Sequence, residues 1–202
     1  MALIRNHNHM NKIVFASQNK CKVKEVVQIL NGLDIEIISL ADMNEQIEII
    51  ENGDSFEANA LIKVKQVYNI FKLPTIADDS GLMVEQLNGA PGIYSARYAG
   101  EDGNEKANNK KLLDGLKNYP KPHIAKFVCA AVYYDGEKVH TAIGEFNGRI
   151  IDEEHGSYGF GYDPLFVPDG YSITSAEMKP ALKNSISHRF NAFNKLKKIL
   201  NK

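Results

Sequence analysis

Apolar and polar positions along this chain alternate between a strand period and a helix period, and the switches between the two mark out its elements. Residues 13–16, Ile-Val-Phe-Ala, form a short apolar run that predicts a buried strand, and Val23, Val26, Val27 and Leu30 follow at helical spacing. Over residues 34–40, Ile35 and Ile37 alternate with Asp34 and Glu36, which predicts a second strand before an acidic, polar loop through Glu51, Asn52 and Gly53. Phe56, Ala60, Val64, Val67, Tyr68 and Phe71 then make an apolar stripe at helical spacing. Asp54 and Glu57 have the offset of a capping box at the start of that helix, and Pro74 bars its continuation past Phe71.

Leu73-Pro74-Thr75-Ile76 predicts a strand ending at Ala77-Asp78-Asp79-Ser80-Gly81, with Leu82-Met83-Val84 a brief apolar segment beyond. Turn formers fill residues 88–92, and a helix is expected over 104–116. Two β-prone runs, 124–134 and 138–146, are joined through Asp135-Gly136, a two-residue hairpin signal, and Arg149-Ile150-Ile151 continues that sheet. After a glycine-rich aromatic segment at 156–161, a last helix carries Ile186, Phe190, Phe193, Leu196 and Leu200 on one face. Nothing repeats and no linker divides the chain. The alternation predicts an α/β fold with mixed strands, residues 13–202 forming one domain behind a flexible tail at 1–12.

The totals narrow the function. With 202 residues and 44% hydrophobic content the chain can bury one substantial core. Lys+Arg 24 against Asp+Glu 25 leaves no basic field to hold a nucleic-acid backbone, so an anionic partner must be small and held locally. No apolar stretch approaches the roughly 20 residues of a membrane span, and the start lacks the apolar core of a secretory signal, so a cytoplasmic location is expected, with no membrane partner. The two cysteines, Cys21 and Cys129, have no metal-ligand spacing. His7 and His9 in the tail are too few to make a metal site.

Four segments carry candidate chemistry. Adjacent acids such as Asp78 and Asp79 repel and resist burial, so they need a cation, a donor network or water. At the end of a strand in an α/β sheet, Mg²⁺ carrying a phosphate substrate suits them, and an Asx-type turn is the alternative. Glu51 is a candidate second metal ligand from another loop. Which aspartate binds metal is left open, and Glu57 reads better as a helix-cap acid. The turn Ser17-Gln18-Asn19-Lys20-Cys21-Lys22 offers helix N-terminal amides, a hydroxyl and lysines to phosphate oxygens, or is simply a capped turn. In Gly159-Phe160-Gly161-Tyr162-Asp163-Pro164, glycines permit close approach, an aromatic ring offers a stacking face and Asp163 an acceptor; a β-turn is the alternative. In the segment from Lys183 to Arg189, His188 and Arg189, near the start of the final helix, are donors suited to a carbonyl such as O6 of an oxopurine, or else surface polar groups.

In this order and at these distances, the segments resemble the family of inosine/xanthosine triphosphate pyrophosphatases, the non-canonical purine NTP pyrophosphatases. The resemblance runs from Ile13 to about Leu200 and rests on six motifs: residues 17–22, Ser55-Phe56 with Asn59-Ala60, residues 77–81, 89–98, 160–164 and 187–189. The run at 94–98 is similar to the bacterial branch. It implies hydrolysis of ITP, dITP and XTP to the monophosphate and pyrophosphate with Mg²⁺, in a homodimer of two-lobed subunits, each an elongated mixed sheet flanked by helices with its cleft between the lobes. By motif position Asp79 would be general base and metal ligand, Glu51 its partner ligand, and Ser80 a substrate contact. Ser17, Asn19 and Lys22 would hold the triphosphate, with Gln18, Lys20 and Cys21 of the same motif also binding substrate. Phe160, Gly161, Tyr162, Asp163 and Lys183 would enclose the nucleoside, and His188 with Arg189 would read the base. Three positions depart from the family pattern: Ser17 for threonine, Cys21 for glycine and Ala58 for glutamate. Two further readings are a pyrophosphatase for modified pyrimidine nucleotides and a non-catalytic nucleotide-binding regulator.

Overall fold

The computed structural model describes residues 11–43, 47–100 and 103–201. Its strands are β1 (Asn11–Phe15), β2 (Ile35–Ser39), β3 (Thr75–Val84), β4 (His123–Tyr134), β5 (Val139–Ile150) and β6 (Phe166–Pro168), joined in one sheet of order β2-β1-β3-β4-β5-β6. β1 is parallel to β2 and β3, and the later pairings are antiparallel, so the sheet is mixed as expected. Parallel neighbours need crossover connections. Helices α1 (Lys20–Leu30) and α2 (Phe56–Phe71) supply them; α3 (Glu105–Leu116), α4 (Pro180–Ile186) and α5 (His188–Leu200) complete the set.

Each sheet face is sealed by a helix stripe visible in the sequence. On one face α1 and α5 press Val26, Ile29, Phe193 and Leu196 onto Phe15, Ile76 and Ala131. On the other, α2 lays Ala60, Val64 and Val67 against Val14, Ala77 and Val132. Each Val- or Leu-sized side chain buried this way contributes about 1.5–3 kcal/mol. A third cluster at the far end of β3 and β4 packs Leu82, Phe127 and Phe166 with Leu112 and Leu116 of α3.

Several local expectations need correction. β1 begins at Asn11, so residues 11 and 12 belong to the sheet rather than to a tail; residues 1–10, with His7 and His9, lie outside the described residues. Ser55, not Asp54, caps α2: its Oγ accepts the Ala58 N–H at 3.2 Å, which puts Glu57 in the first turn, where the helix dipole favours an acid. The Asp78-Asp79-Ser80 run does not end a strand. β3 passes straight through it and pairs with β4 from Thr75↔Tyr134 to Val84↔Ala125. The hairpin turn spans 135–138, with Asp135 Oδ1 accepting the Glu137 and Lys138 N–H groups at 2.9 and 2.7 Å, and β5 runs unbroken to Ile150. The last helix is two helices, because the Ser187 N–H closes α4 on the Lys183 carbonyl while its Oγ caps α5 at Phe190. Three-residue β6 was not foreseen; it is too short to carry an alternation.

Candidate active site

Because side chains alternate along a strand, β3 sends Asp78 and Ser80 to the α1/α5 face and Asp79 and Gly81 to the α2 face. The two adjacent acids therefore have separate environments. Asp78 is 1% exposed; its Oδ2 accepts from Arg189 Nε and Nη2 at 3.2 and 3.0 Å and lies 3.2 Å from Lys22 Nζ. Burial alone would push this carboxyl up, but Lys22, Arg189 and Lys63 outweigh it and hold its pKa well below the usual range. Arg189 also donates from Nη1 to Glu25 Oε2 at 2.5 Å and from Nη2 to Ser80 Oγ at 2.8 Å. Glu25 lies 3.5 Å from Lys183 Nζ, and Lys183 pairs with Asp163, whose Oδ2 accepts the Phe160 N–H at 2.9 Å. Burial raises the Asp163 pKa, against the pull of Lys183 and the Phe160 amide. A chain of alternating charge thus ties α1 to the Phe160 loop.

On the other face, Asp79 Oδ1 lies 3.2 Å from Lys63 Nζ and Oδ2 accepts from Asn59 Nδ2 at 3.1 Å. The same Nζ is 2.9 Å from Glu51 Oε2 and donates to the Asp78 carbonyl at 3.2 Å. Burial pulls the Lys63 pKa down, but Asp79, Glu51 and Asp78 more than offset it, so the ammonium is held above its ordinary value.

A cavity of about 430 Å³ opens onto both groups. Ser17, Gln18, Asn19 and Lys22 line it at the start of α1, where Asn19 Oδ1 caps the helix by accepting the Cys21 and Lys22 N–H groups at 2.9 and 3.1 Å. Gln18 Nε2 ties this turn to the Ile47 carbonyl at 3.1 Å. Lys20 and Cys21, expected to bind substrate, are exposed and do not line the cavity. Glu51, Asp79 and Ser80 do line it, as do Phe160, Gly161, Tyr162, Asp163, Lys183, His188 and Arg189. Gly159 must be glycine: at φ 76° a Cβ would fall 2.1 Å from Asp163 Oδ2. Tyr162 is anchored by its hydroxyl, which donates to the Ser95 carbonyl at 2.8 Å. The His188 ring stacks on Phe127 with centroids 4.9 Å apart, and its buried Nδ1 has no hydrogen-bond partner among the described residues. Burial first, then Arg189 and Lys183, hold the His188 pKa well below 6.5, so the ring is neutral. Arg189, expected to read the base, spends Nε, Nη1 and Nη2 on Asp78, Glu25 and Ser80, and so orders its neighbours.

Lys63 and Glu25 were missed as site residues. Their signal was a charge on an apolar helix face: Lys63 lies between Ala60 and Val64, and Glu25 directly precedes buried Val26. Among the described residues no three His, Cys, Asp or Glu side chains cluster as a metal cage. Glu51 and Asp79 nevertheless bring two hard carboxylate oxygens to one ammonium at the cavity wall, a donor set that fits Mg²⁺, which leaves its other positions to water and phosphate oxygens.

The Ham1 family model matches residues 13–199. Curated relatives include the dITP/XTP pyrophosphatase of Oceanobacillus iheyensis, 45% identical over 95% of this chain and 98% of the relative, and that of Bacillus subtilis, 44% identical over the same shares. The solved Staphylococcus aureus Ham1 protein superposes with a TM-score of 0.84 at 38% identity, covering 94% of this chain and 98% of its own. A HAM1 protein from Coxiella burnetii gives 0.85 at 36% identity, covering 95% and 98%.

Proposed function

This chain belongs to the Ham1 family, and on that premise we propose that it hydrolyses non-canonical purine nucleoside triphosphates such as dITP, ITP and XTP to the monophosphate and pyrophosphate, with Mg²⁺. The observation that carries the reading is that one cavity presents a helix N-terminus with a lysine, a carboxylate pair on a buried lysine, and an imidazole stacked on an aromatic ring.

The α1 N-terminus and Lys22 receive phosphate oxygens, the dipole and the point charge acting together. Asp79 accepts the proton of the water that attacks the α-phosphorus, while Asn59 and Lys63 fix the orientation of its carboxylate. Glu51 and Asp79 would hold Mg²⁺, which supplies charge neutralisation on the phosphate oxygens when bound. A neutral imidazole offers one N–H, and directed at O6 it favours an oxopurine, because the amino group of adenine would leave that donor unpaired. Phe160 offers a face for the base to stack upon. We read the enzyme as a homodimer that acts in the cytoplasm to cleanse the nucleotide pool. No helix among the described residues is long and apolar enough to cross a membrane.

The purified protein with dITP and Mg²⁺ should release pyrophosphate, and Asp79→Asn should lose about 10²–10⁴ of kcat while keeping its fold. Release of orthophosphate would overturn the reaction, and a preference for modified pyrimidine triphosphates would overturn the substrate class. An absence of turnover with retained binding would mean a nucleotide-binding regulator.

A further inference from the structure

Charge in and behind the cavity wall is largely matched internally. Lys22 faces Asp78, Lys63 faces Glu51 and Asp79, Lys183 faces Asp163 and Glu25, and Arg189 faces Asp78 and Glu25. Four cations thus meet five carboxylates, so these groups together bring no excess positive charge to an anionic substrate. Arg97 is different. Its side chain lines the same cavity, no carboxylate among the described residues pairs with it, and its guanidinium rests over the Tyr94 ring, 5.4 Å from the centroid. Glu105 reaches the same wall without pairing to it.

The backbone that carries Arg97 is firmly fastened. It ends the 3-10 turn Gly92–Arg97, within which Ser95 Oγ accepts the Leu82 N–H at 2.9 Å and donates to the Gly92 carbonyl at 2.6 Å. The Ser95 carbonyl accepts from Tyr162, the Ala96 carbonyl from Asn108 Nδ2 at 3.0 Å, and Asn108 Oδ1 takes the Ala99 N–H at 2.7 Å. The turn also lies directly on Gly81, where a Cβ would come within 2.4 Å of the Gly92 carbonyl and Ser95 Oγ. Gly81 is two residues beyond Asp79 on the same face of β3, so this platform flanks the carboxylate pair. The stacked pair Phe127 and His188 lines the same cavity.

From this placement we propose that Arg97 is a substrate-binding residue that grips the two phosphates leaving as pyrophosphate. When the bond between the α-phosphorus and its bridging oxygen breaks, the electron pair goes to the pyrophosphate, and Arg97 is the cation whose charge is not already matched within the wall. A guanidinium also suits phosphate geometry, offering two parallel N–H donors. The inference rests on a triphosphate substrate, but its test does not need turnover.

Pyrophosphate and dIMP are titrated calorimetrically, in buffer containing Mg²⁺, into the wild type, Arg97→Ala and Arg97→Lys. Arg97→Ala should weaken pyrophosphate binding by about tenfold or more, equivalent to about 1.4 kcal/mol, and dIMP binding by less than about twofold. Arg97→Lys should restore part of the loss. Unchanged pyrophosphate affinity in Arg97→Ala, equal weakening of dIMP, or no pyrophosphate binding by the wild type overturns the proposal. If the wild type binds pyrophosphate through Arg97 yet does not cleave dITP, the reaction assignment fails and the Arg97 site stands.

Discussion

His188 gives a pH dependence whose size can be worked out in advance. In the native protein the ring is buried against Phe127, with Arg189, Lys183 and Lys22 opposing a positive charge and Asp78 favouring one, so burial and these cations keep it neutral well below pH 6.5. An unfolded chain has no such restraint and takes up a proton as the pH drops past 6.5. The native pKa is therefore depressed: the contribution of the neutral ring to stability is fully present above 6.5 and is lost as the pH falls through the native value. Between pH 7.5 and pH 5.5 the unfolded state takes up protons that the buried ring resists, a cost of up to about 1.4 kcal/mol. His188→Phe keeps a ring on Phe127 and removes the titrating nitrogens. Urea unfolding of both proteins at the two pH values reads this contribution: the wild type should lose up to about 1.4 kcal/mol more than the variant. Equal losses, within the roughly 0.3–0.5 kcal/mol scatter of independent sites, would refute the neutral, cation-flanked His188.

Two further perturbations probe the frame that holds the site. Arg189→Met strips the guanidinium from Asp78 and Glu25 and leaves buried carboxylates behind, which should cost about 3–5 kcal/mol in urea unfolding; a loss below about 1 kcal/mol would mean the network does not hold charge as drawn. Gly144→Ala would place a Cβ 2.1 Å from the His188 carbonyl and 2.3 Å from the Ala192 nitrogen, so α5 must back away from β5 at a cost of about 1–3 kcal/mol, with dITP turnover falling as His188 shifts; wild-type stability would refute that close approach.

What could be read in advance depended on whether an element was held together locally. The stripes of α2 and α5 are set by neighbours three and four residues apart, and both were recognised from those residues alone. The stretch Asp78-Asp79-Ser80-Gly81 looks like a turn because its own residues are polar; it runs as a central strand because Lys22, Lys63 and Arg189, distant in sequence, compensate its charges. Lys63 and Glu25 were passed over for the same reason, since each looks like a solvated charge until its partners on β3 and α5 are brought to it. The break at Ser187 escaped notice because Ile186 and Phe190 continue one apolar face across it. Among the expected phosphate contacts, Asn19 and Lys22 face the cavity while Lys20 and Cys21 turn outward, a division that the helical twist of the first turn of α1 imposes on a contiguous motif.

The opposite orientation of Asp78 and Asp79 also bears on how the sheet finds its alignment. Around them β3 is apolar on both faces, with Ile76 and Leu82 on one and Ala77 on the other, so hydrophobic alternation does little to distinguish the correct pairing with β4 from one displaced by a residue. Displacement by one residue would turn Asp78 toward α2 and Asp79 toward α5, stranding Arg189 and Lys63 in the wrong compartments of the core. The charges placed on either side of the strand therefore penalise any ladder displaced by an odd number of residues, which would send each acid to the wrong helix.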